Sequence, residues 1–295
     1  DIIVFLVFLL PTTIICGQTR KLHKVDSILK VYYDNDSPSV GVLVMHKGQV
    51  KVKKSYGLAN IKAGEHANQT TNYNLATLTE QFTVMATLIL MDKGLINIDT
   101  PIQDIWRDLP GYCKKIKVEH LLNHTAGLPL IEHEQFYGNI RNVDDLINFF
   151  EEKKGLNNSP GRRALQNPAN YALLADLVEK KTDLSYRKFI EKHVFQPLGM
   201  KTSRVYKKGW FTGVPNKATS YLRRNDTIYE AAGSFPKNYM EGVIGIYSNL
   251  KDIERWFSAW NSDTLVSQEM LTKAKRINFI RGQKNFPGYG WIRAF

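Results

Sequence analysis

An α+β fold is predicted for this chain: an antiparallel sheet packed by helices, with an all-helical section inserted. Three observations point there. Residues 40–45 and 50–56 are β-type runs flanking His46-Lys47-Gly48-Gln49 and read as a hairpin. Residues 79–93 read as a helix with no polar face, which belongs inside a core. From about 95 to 250 the pattern is mainly helical, and strand character returns only at Gly288-Tyr289-Gly290-Trp291-Ile292.

The elements follow in order. Residues 2–10 are an almost unbroken apolar run, short for a membrane span and of the length of a signal-peptide core, with Gly17 small enough for a cleavage site. Residues 1–17 are therefore expected to be an export leader, incomplete at its start, and 18–295 the folded domain; a buried strand is the alternative reading of the run. Cys16 invites a lipid anchor, but Ile14 and Ile15 are poor substitutes for the small residues such a site wants. No stable membrane span is expected once the leader is removed. Leu22, Val25, Ile28, Leu29 and Tyr32 sit at helical spacing, and residues 34–38 break the helix. The first hairpin strand is expected to be buried, the second to alternate, and residues 57–71 to be a polar loop. Phe82, Val84, Met85, Leu88, Ile89 and Leu90 fill the helix of residues 79–93, and Gly94 stops it. Further helices are expected at 118–123, 143–153, 169–181 and 184–194, the last closed by Pro197. Ser248 is the expected cap of a helix carrying Ile253, Trp256, Phe257 and Trp260.

Composition excludes several classes. With 295 residues, 43% of them hydrophobic and 23% charged, the chain can bury a large core and is not disordered, collagenous or coiled-coil. The net charge is +12, but the basic residues are scattered in pairs such as Lys53-Lys54, Lys114-Lys115 and Arg223-Arg224. No basic stripe or DNA-binding motif accompanies them, so a solvated basic surface is expected and a nucleic-acid partner is not. Cys16 and Cys113 are the only cysteines, too few for a cysteine zinc site, and removal of the leader leaves no internal disulfide. No metal and no cofactor is expected. Five Asn-x-Ser/Thr triplets begin at Asn35, Asn68, Asn123, Asn157 and Asn225 and matter only where the host glycosylates.

The helix of residues 79–93 is preceded by Thr77-Leu78-Thr79-Glu80-Gln81-Phe82-Thr83 and followed by Gly94-Leu95-Ile96-Asn97-Ile98-Asp99-Thr100-Pro101-Ile102. Leu121-Leu122-Asn123-His124-Thr125-Ala126-Gly127-Leu128, Ser159-Pro160-Gly161, Asn170-Tyr171-Ala172-Leu173-Leu174, Pro197-Leu198-Gly199-Met200 and the stretch 242–256 come next. In this order and spacing they resemble the class C β-lactamase, penicillin-binding protein and esterase superfamily of serine hydrolases, over roughly residues 25–295. The resemblance implies a β-lactamase/transpeptidase-like fold. It also implies acyl transfer: a serine at a helix start is acylated, and a lysine three residues on shares its helical face and helps remove its proton. A Tyr-x-Asn motif then supplies a phenol and an amide, and a Lys-Thr-Gly or His-x-Gly strand closes the site.

Against that pattern the chain departs at each position. The serine position is Thr77, whose extra methyl restricts χ1 and crowds attack. The lysine position is Glu80, an anion where negative charge must develop. Near a helix start a glutamate also has a purely structural reason, since it complements the helix dipole. The tyrosine position is Gln166, which cannot act as a phenolate, and the asparagine position is Pro168, which has no side-chain amide. The match stops at Trp291, short of the third motif, so the last strands of the family's sheet are expected to be missing. His124 is expected to be structural, since no Gly-x-Ser-x-Gly elbow serves it. His120 and His124 lack the glutamate of a His-Glu-x-x-His zinc site.

Three functional expectations result. The first is a family member without catalysis that keeps a cleft for cell-wall peptides or small acyl ligands. The second is a live ester or amide hydrolase using Thr77 with Glu80 as base. The third is a truncated gene product without function. Export to the periplasm or outside a bacterial-type cell goes with the leader.

Overall fold

The computed structural model describes residues 25–31, 33, 36–132, 138, 140–206, 213–225, 229–232, 240–276 and 285–294. The expected leader lies outside the described residues, as do Leu22 and Tyr32 of the first helix, whose described part is 25–31. The chain forms two compact units.

The first unit gathers Asp1–Leu75, Gly199–Phe235 and Tyr247–Asn261. Strands Val40–His46 and Gln49–Tyr56 pair antiparallel around Lys47-Gly48, as the alternation predicts, with a bulge at Val44/Met45. The first strand is only half-buried, contrary to expectation: Val42 and Leu43 are covered and its other residues are partly exposed. A two-stranded hairpin has little to cover either face. Its covered face meets the helix Leu250–Ala259; a Cβ added at Gly41 would lie 3.1 Å from Leu250 Cδ2. Lys53 joins Glu254 of that helix at 2.5 Å. The expected polar loop 57–71 contains a second small hairpin, Leu58–Asn60 with Glu65–His66, because Leu58 and Ala59 are buried. A three-stranded sheet places Ile246–Ser248 between Tyr73–Asn74 and Arg204–Val205.

The helix after that central strand is capped by Asn249, not by Ser248. Asn249 Oδ1 accepts from Lys251 N at 3.1 Å and Asp252 N at 3.2 Å. Ser248 still belongs to the strand, and its hydroxyl meets Ser203 Oγ at 2.8 Å. Beneath the cap, Asp252 is 2% exposed and fully engaged. Its Oδ2 accepts from Thr202 N (3.1 Å), Ser203 N (3.0 Å), Ser203 Oγ (2.9 Å), Thr202 Oγ1 (3.3 Å) and Asn249 Nδ2 (3.3 Å), and Oδ1 accepts from Arg255 at 3.0 Å.

The second unit gathers Ala76–Leu198, Pro236–Ile246 and Ser262–Phe295. Its axis is the central helix Thr79–Asp92, in which every residue but Asp92 is buried. Burying side chains such as Phe82, Met85, Leu88 and Leu90 contributes about 1.5–3 kcal/mol each before the entropy of ordering them. Gly94, at φ 69°, ends the helix as predicted. The helix Pro168–Thr182 packs along it, and helices Val118–Leu122, Val143–Glu151 and Tyr186–Ile190 pack on that pair. Thr83 Oγ1, buried in the central helix, donates to Gly242 O at 2.6 Å and meets Tyr186 Oη at 2.7 Å.

Two expectations fail here. Pro197 does not close its helix. The helix widens to π geometry over Glu191–Phe195 and continues through Gln196–Leu198. Proline has no N–H to donate, so it costs nothing where the regular hydrogen-bond ladder has already been interrupted. Residues 288–291 do not begin a strand but form the turn between Asn285–Pro287 and Ile292–Ala294. Gly290, at φ 66°, makes that turn; a Cβ there would lie 3.0 Å from Val84 Cγ2 of the central helix. Among the described residues no helix is long and apolar enough to cross a membrane.

Candidate active site

The four positions singled out in the sequence all lie in the second unit, near the starts of its two longest helices. Thr77 is exposed in a single 3₁₀ turn, Ala76–Leu78, that leads into the central helix. Ala76 precedes it in the left-handed region, at φ 47°, a conformation that costs a residue with a Cβ about 1 kcal/mol or more. At the head of the helix Thr79 Oγ1 accepts from Ile246 N, of the same unit, at 3.2 Å.

One turn in, Glu80 is buried at 6% exposure in the first turn of the helix, where the dipole favours an anion. Its Oε2 lies 3.4 Å from His124 Nε2, and both side chains are nearly inaccessible. The imidazole is oriented from its other side. His124 Nδ1 faces Asn167 N at 3.5 Å and Asn170 Nδ2 at 3.1 Å. A backbone N–H can only donate, so Nδ1 is the acceptor and Nε2, on the side facing Glu80, carries the hydrogen. The same assignment turns Asn170 Nδ2 to the ring and leaves its buried Oδ1 without a partner.

The loop that carries His124 is built for close approach. His124 itself is at φ 57° and Gly127 at φ 70°, and a Cβ on Gly127 would lie 1.9 Å from Asn158 O. Thr125 donates through Oγ1 to Asn123 Oδ1 at 2.5 Å. The Tyr171 ring lies 4.8 Å from the His124 ring, and its Oη donates to Leu122 O at 2.8 Å. Burial, and then the nearby charge of Glu80, push the Tyr171 phenol well above its ordinary pKa, against a backbone hydrogen bond from Gly290. Tyr171 is thus held by packing against His124 and by its bond to Leu122 O.

Gln166 and Pro168 flank the residue that matters locally. Gln166 is exposed and Pro168 is the first residue of its helix, where a missing N–H is tolerated. Asn167 between them is 2% exposed. Its Oδ1 caps the helix by accepting from Ala169 N at 3.1 Å, and its Nδ2 donates to Leu128 O (3.3 Å) and Pro129 O (2.9 Å). Among the described residues, Thr77 and Gln166 make no side-chain hydrogen bond to Glu80, to His124 or to each other. The structure therefore sets Glu80 beside His124, whose far side faces Asn167 and Asn170. No group of three or more His, Cys, Asp or Glu able to hold a metal occurs among the described residues.

The His124 partnership was missed by the sequence reading. The only signal for it was a histidine in a loop motif with no assigned partner. Gly290 was also missed; its carbonyl accepts from Gln81 Nε2 at 3.4 Å, which ties the late turn to the same helix head.

A central helix capped by a strained turn, with a His-Thr-x-Gly loop beside it, is the architecture of the penicillin-binding protein-like transpeptidase fold. Solved structures agree: a penicillin-binding protein homologue from Pyrococcus abyssi, described as octameric, superposes with TM-score 0.79 at 22% identity over 93% of this chain and 64% of that one. The penicillin-binding protein of Bacillus halodurans gives 0.75 at 22% identity over 92% and 82% of the two chains. The Beta-lactamase family model matches residues 25–294, and the chain belongs to that family. It is 26% identical to penicillin-binding protein 4* of Bacillus subtilis over 85% of its own length and 58% of that protein's. Against a Beta-lactamase of Yersinia enterocolitica it is 28% identical over 86% and 64% of the two lengths. The chain thus spans little more than half of the first of these relatives.

Proposed function

We propose that this chain is a family member that has lost acyl transfer and keeps the head of the central helix as a non-covalent site for a cell-wall peptide or a small acyl ligand. One observation carries the reading. The position that carries a lysine in the family holds a buried carboxylate, engaged by His124 in a shell that also contains Asn167 and Asn170. An anion there opposes the negative charge that an acyl-transfer transition state develops. The threonine hydroxyl next to it has neither a lysine nor a phenol to take its proton. Export to the periplasm or the cell exterior belongs to the same proposal; the bacterial relatives and the apolar residues 2–10 support it.

The test is intact-mass spectrometry after exposure to a reactive penicillin and to a fluorophosphonate. No adduct is expected, and a stoichiometric adduct mapped to Thr77 overturns the proposal. A second reading is supported by the exposure of Thr77 after the strained Ala76: ester or amide hydrolysis with Glu80 as base. It requires turnover that disappears in both Thr77→Ala and Glu80→Gln. The third reading, a product without function, requires a chain that melts without cooperativity.

A further inference from the structure

We infer that Asn68 is an N-glycan acceptor when the chain passes through a secretory route that carries an oligosaccharyltransferase. Five Asn-x-Ser/Thr triplets occur in the sequence, and sequence alone does not rank them. The structure does. Asn35 lies outside the described residues, as do the two residues after Asn225. Asn123 is 4% exposed, inside the His124 loop, and a saccharide on its nitrogen is incompatible with that packing. Asn157 has already committed its amide nitrogen, which donates to Leu128 O at 3.3 Å.

Asn68 is exposed, as Asn157 is, and differs from Asn157 in its amide; it stands at the start of the turn closed by Thr71 N donating to Asn68 O at 3.0 Å. Its side-chain oxygen accepts from Thr70 N at 2.8 Å and from Thr70 Oγ1 at 2.6 Å. This Asx turn has two consequences. The hydroxyl that the triplet requires donates to the oxygen of the amide that must react. The amide nitrogen, in contrast, donates to no group among the described residues. A sugar therefore replaces one of its hydrogens and breaks no hydrogen bond of the fold.

The chemistry balances without any further reagent from this chain. The Asn68 amide nitrogen forms a bond to the anomeric carbon of a lipid-diphosphate-linked oligosaccharide. The bond from that carbon to the diphosphate oxygen breaks, the lipid diphosphate leaves with its electron pair, and the nitrogen gives up one proton. The inference uses the export part of the proposed function only to say where transfer occurs. A secretion signal supplied in the experiment separates failure of one from failure of the other.

The experiment is secretion of the full chain from a eukaryotic cell line behind such a signal. The secreted protein is then peptide-mapped before and after peptide-N-glycosidase in ¹⁸O water. The expected result is glycan on the peptide containing Asn68, absent in Asn68→Gln and in Thr70→Val, and retained in Thr70→Ser and Asn157→Gln. Thr70→Ser keeps the hydroxyl, so loss of fold and loss of acceptor are told apart. Secreted protein with unmodified Asn68, or with glycan on Asn123 or Asn157 in its place, overturns the inference.

Discussion

Two buried carboxylates show what each unit has kept. Asp252, in the first unit, is 2% exposed and receives hydrogen bonds from two backbone amides, two hydroxyls, an asparagine amide and Arg255. Glu80, in the second, is 6% exposed and faces the His124 imidazole at 3.4 Å. Asp252 belongs to a stretch that retains the family pattern, whereas Glu80 stands where the pattern has lysine. A carboxylate selected for structure is enclosed by donors until its burial costs nothing further. Glu80 has one polar neighbour of this kind among the described contacts, the imidazole of a loop histidine.

The comparison can be broken most decisively at Asp252. Asp252→Ala leaves the amides of Thr202 and Ser203 and the Arg255 guanidinium without their acceptor, and a loss of about 3–5 kcal/mol is expected in urea unfolding. A loss under about 1 kcal/mol would show that the shell is incidental. Asn167→Ala removes a helix cap and two side-chain bonds to the Leu128–Pro129 carbonyls, and about 2 kcal/mol is expected by the same measurement. Glu80→Gln keeps an acceptor for His124 Nε2 and gives up only a charge near a helix start. Its cost is expected to be about 1 kcal/mol or less. A Glu80→Gln cost equal to that of Asp252→Ala would erase the contrast between the two carboxylates.

The smallest effect is on the surface. Hydrogen bonds from Lys54 and Tyr56 hold the Asp26 carboxyl down at about 2. A depressed carboxylate contributes stability above its ordinary value of 3.8, and that contribution disappears as pH falls through about 2. Lys54→Met is expected to return the Asp26 titration toward the ordinary range in a carbon-detected NMR experiment, and to flatten the acid limb of stability in that window. An unchanged Asp26 titration would show that the pairing in the first unit does not persist in solution.

Much of the fold was legible because it is written in local pattern. The central helix was readable from an apolar run with no polar face, and the N-terminal hairpin from alternation around Lys47-Gly48. Other features depended on neighbours the pattern does not contain. The hairpin inside residues 57–71 forms because Leu58 and Ala59 find cover, which a polar average conceals. Pro197 lies inside its helix because a π segment precedes it. Ser248 loses the cap to Asn249 because its hydroxyl is already bound to Ser203. At the site, the identities of Thr77, Glu80, Gln166 and Pro168 were readable, but not which groups surround them. Asn167, between Gln166 and Pro168, is a buried helix cap that depends on the Leu128–Pro129 carbonyls as well.

The sequence by itself determined the family and much of the order of helices and strands, since these rest on residue identity and spacing along the chain. The tertiary structure alone decided that Glu80 is buried against His124 and that Asn167 and Asn170 face the other side of that imidazole. Each of these depends on which groups fold against one another from distant parts of the chain. Burial and the donor on the far side set the meaning of a polar side chain, and neither is a property of its position in the sequence.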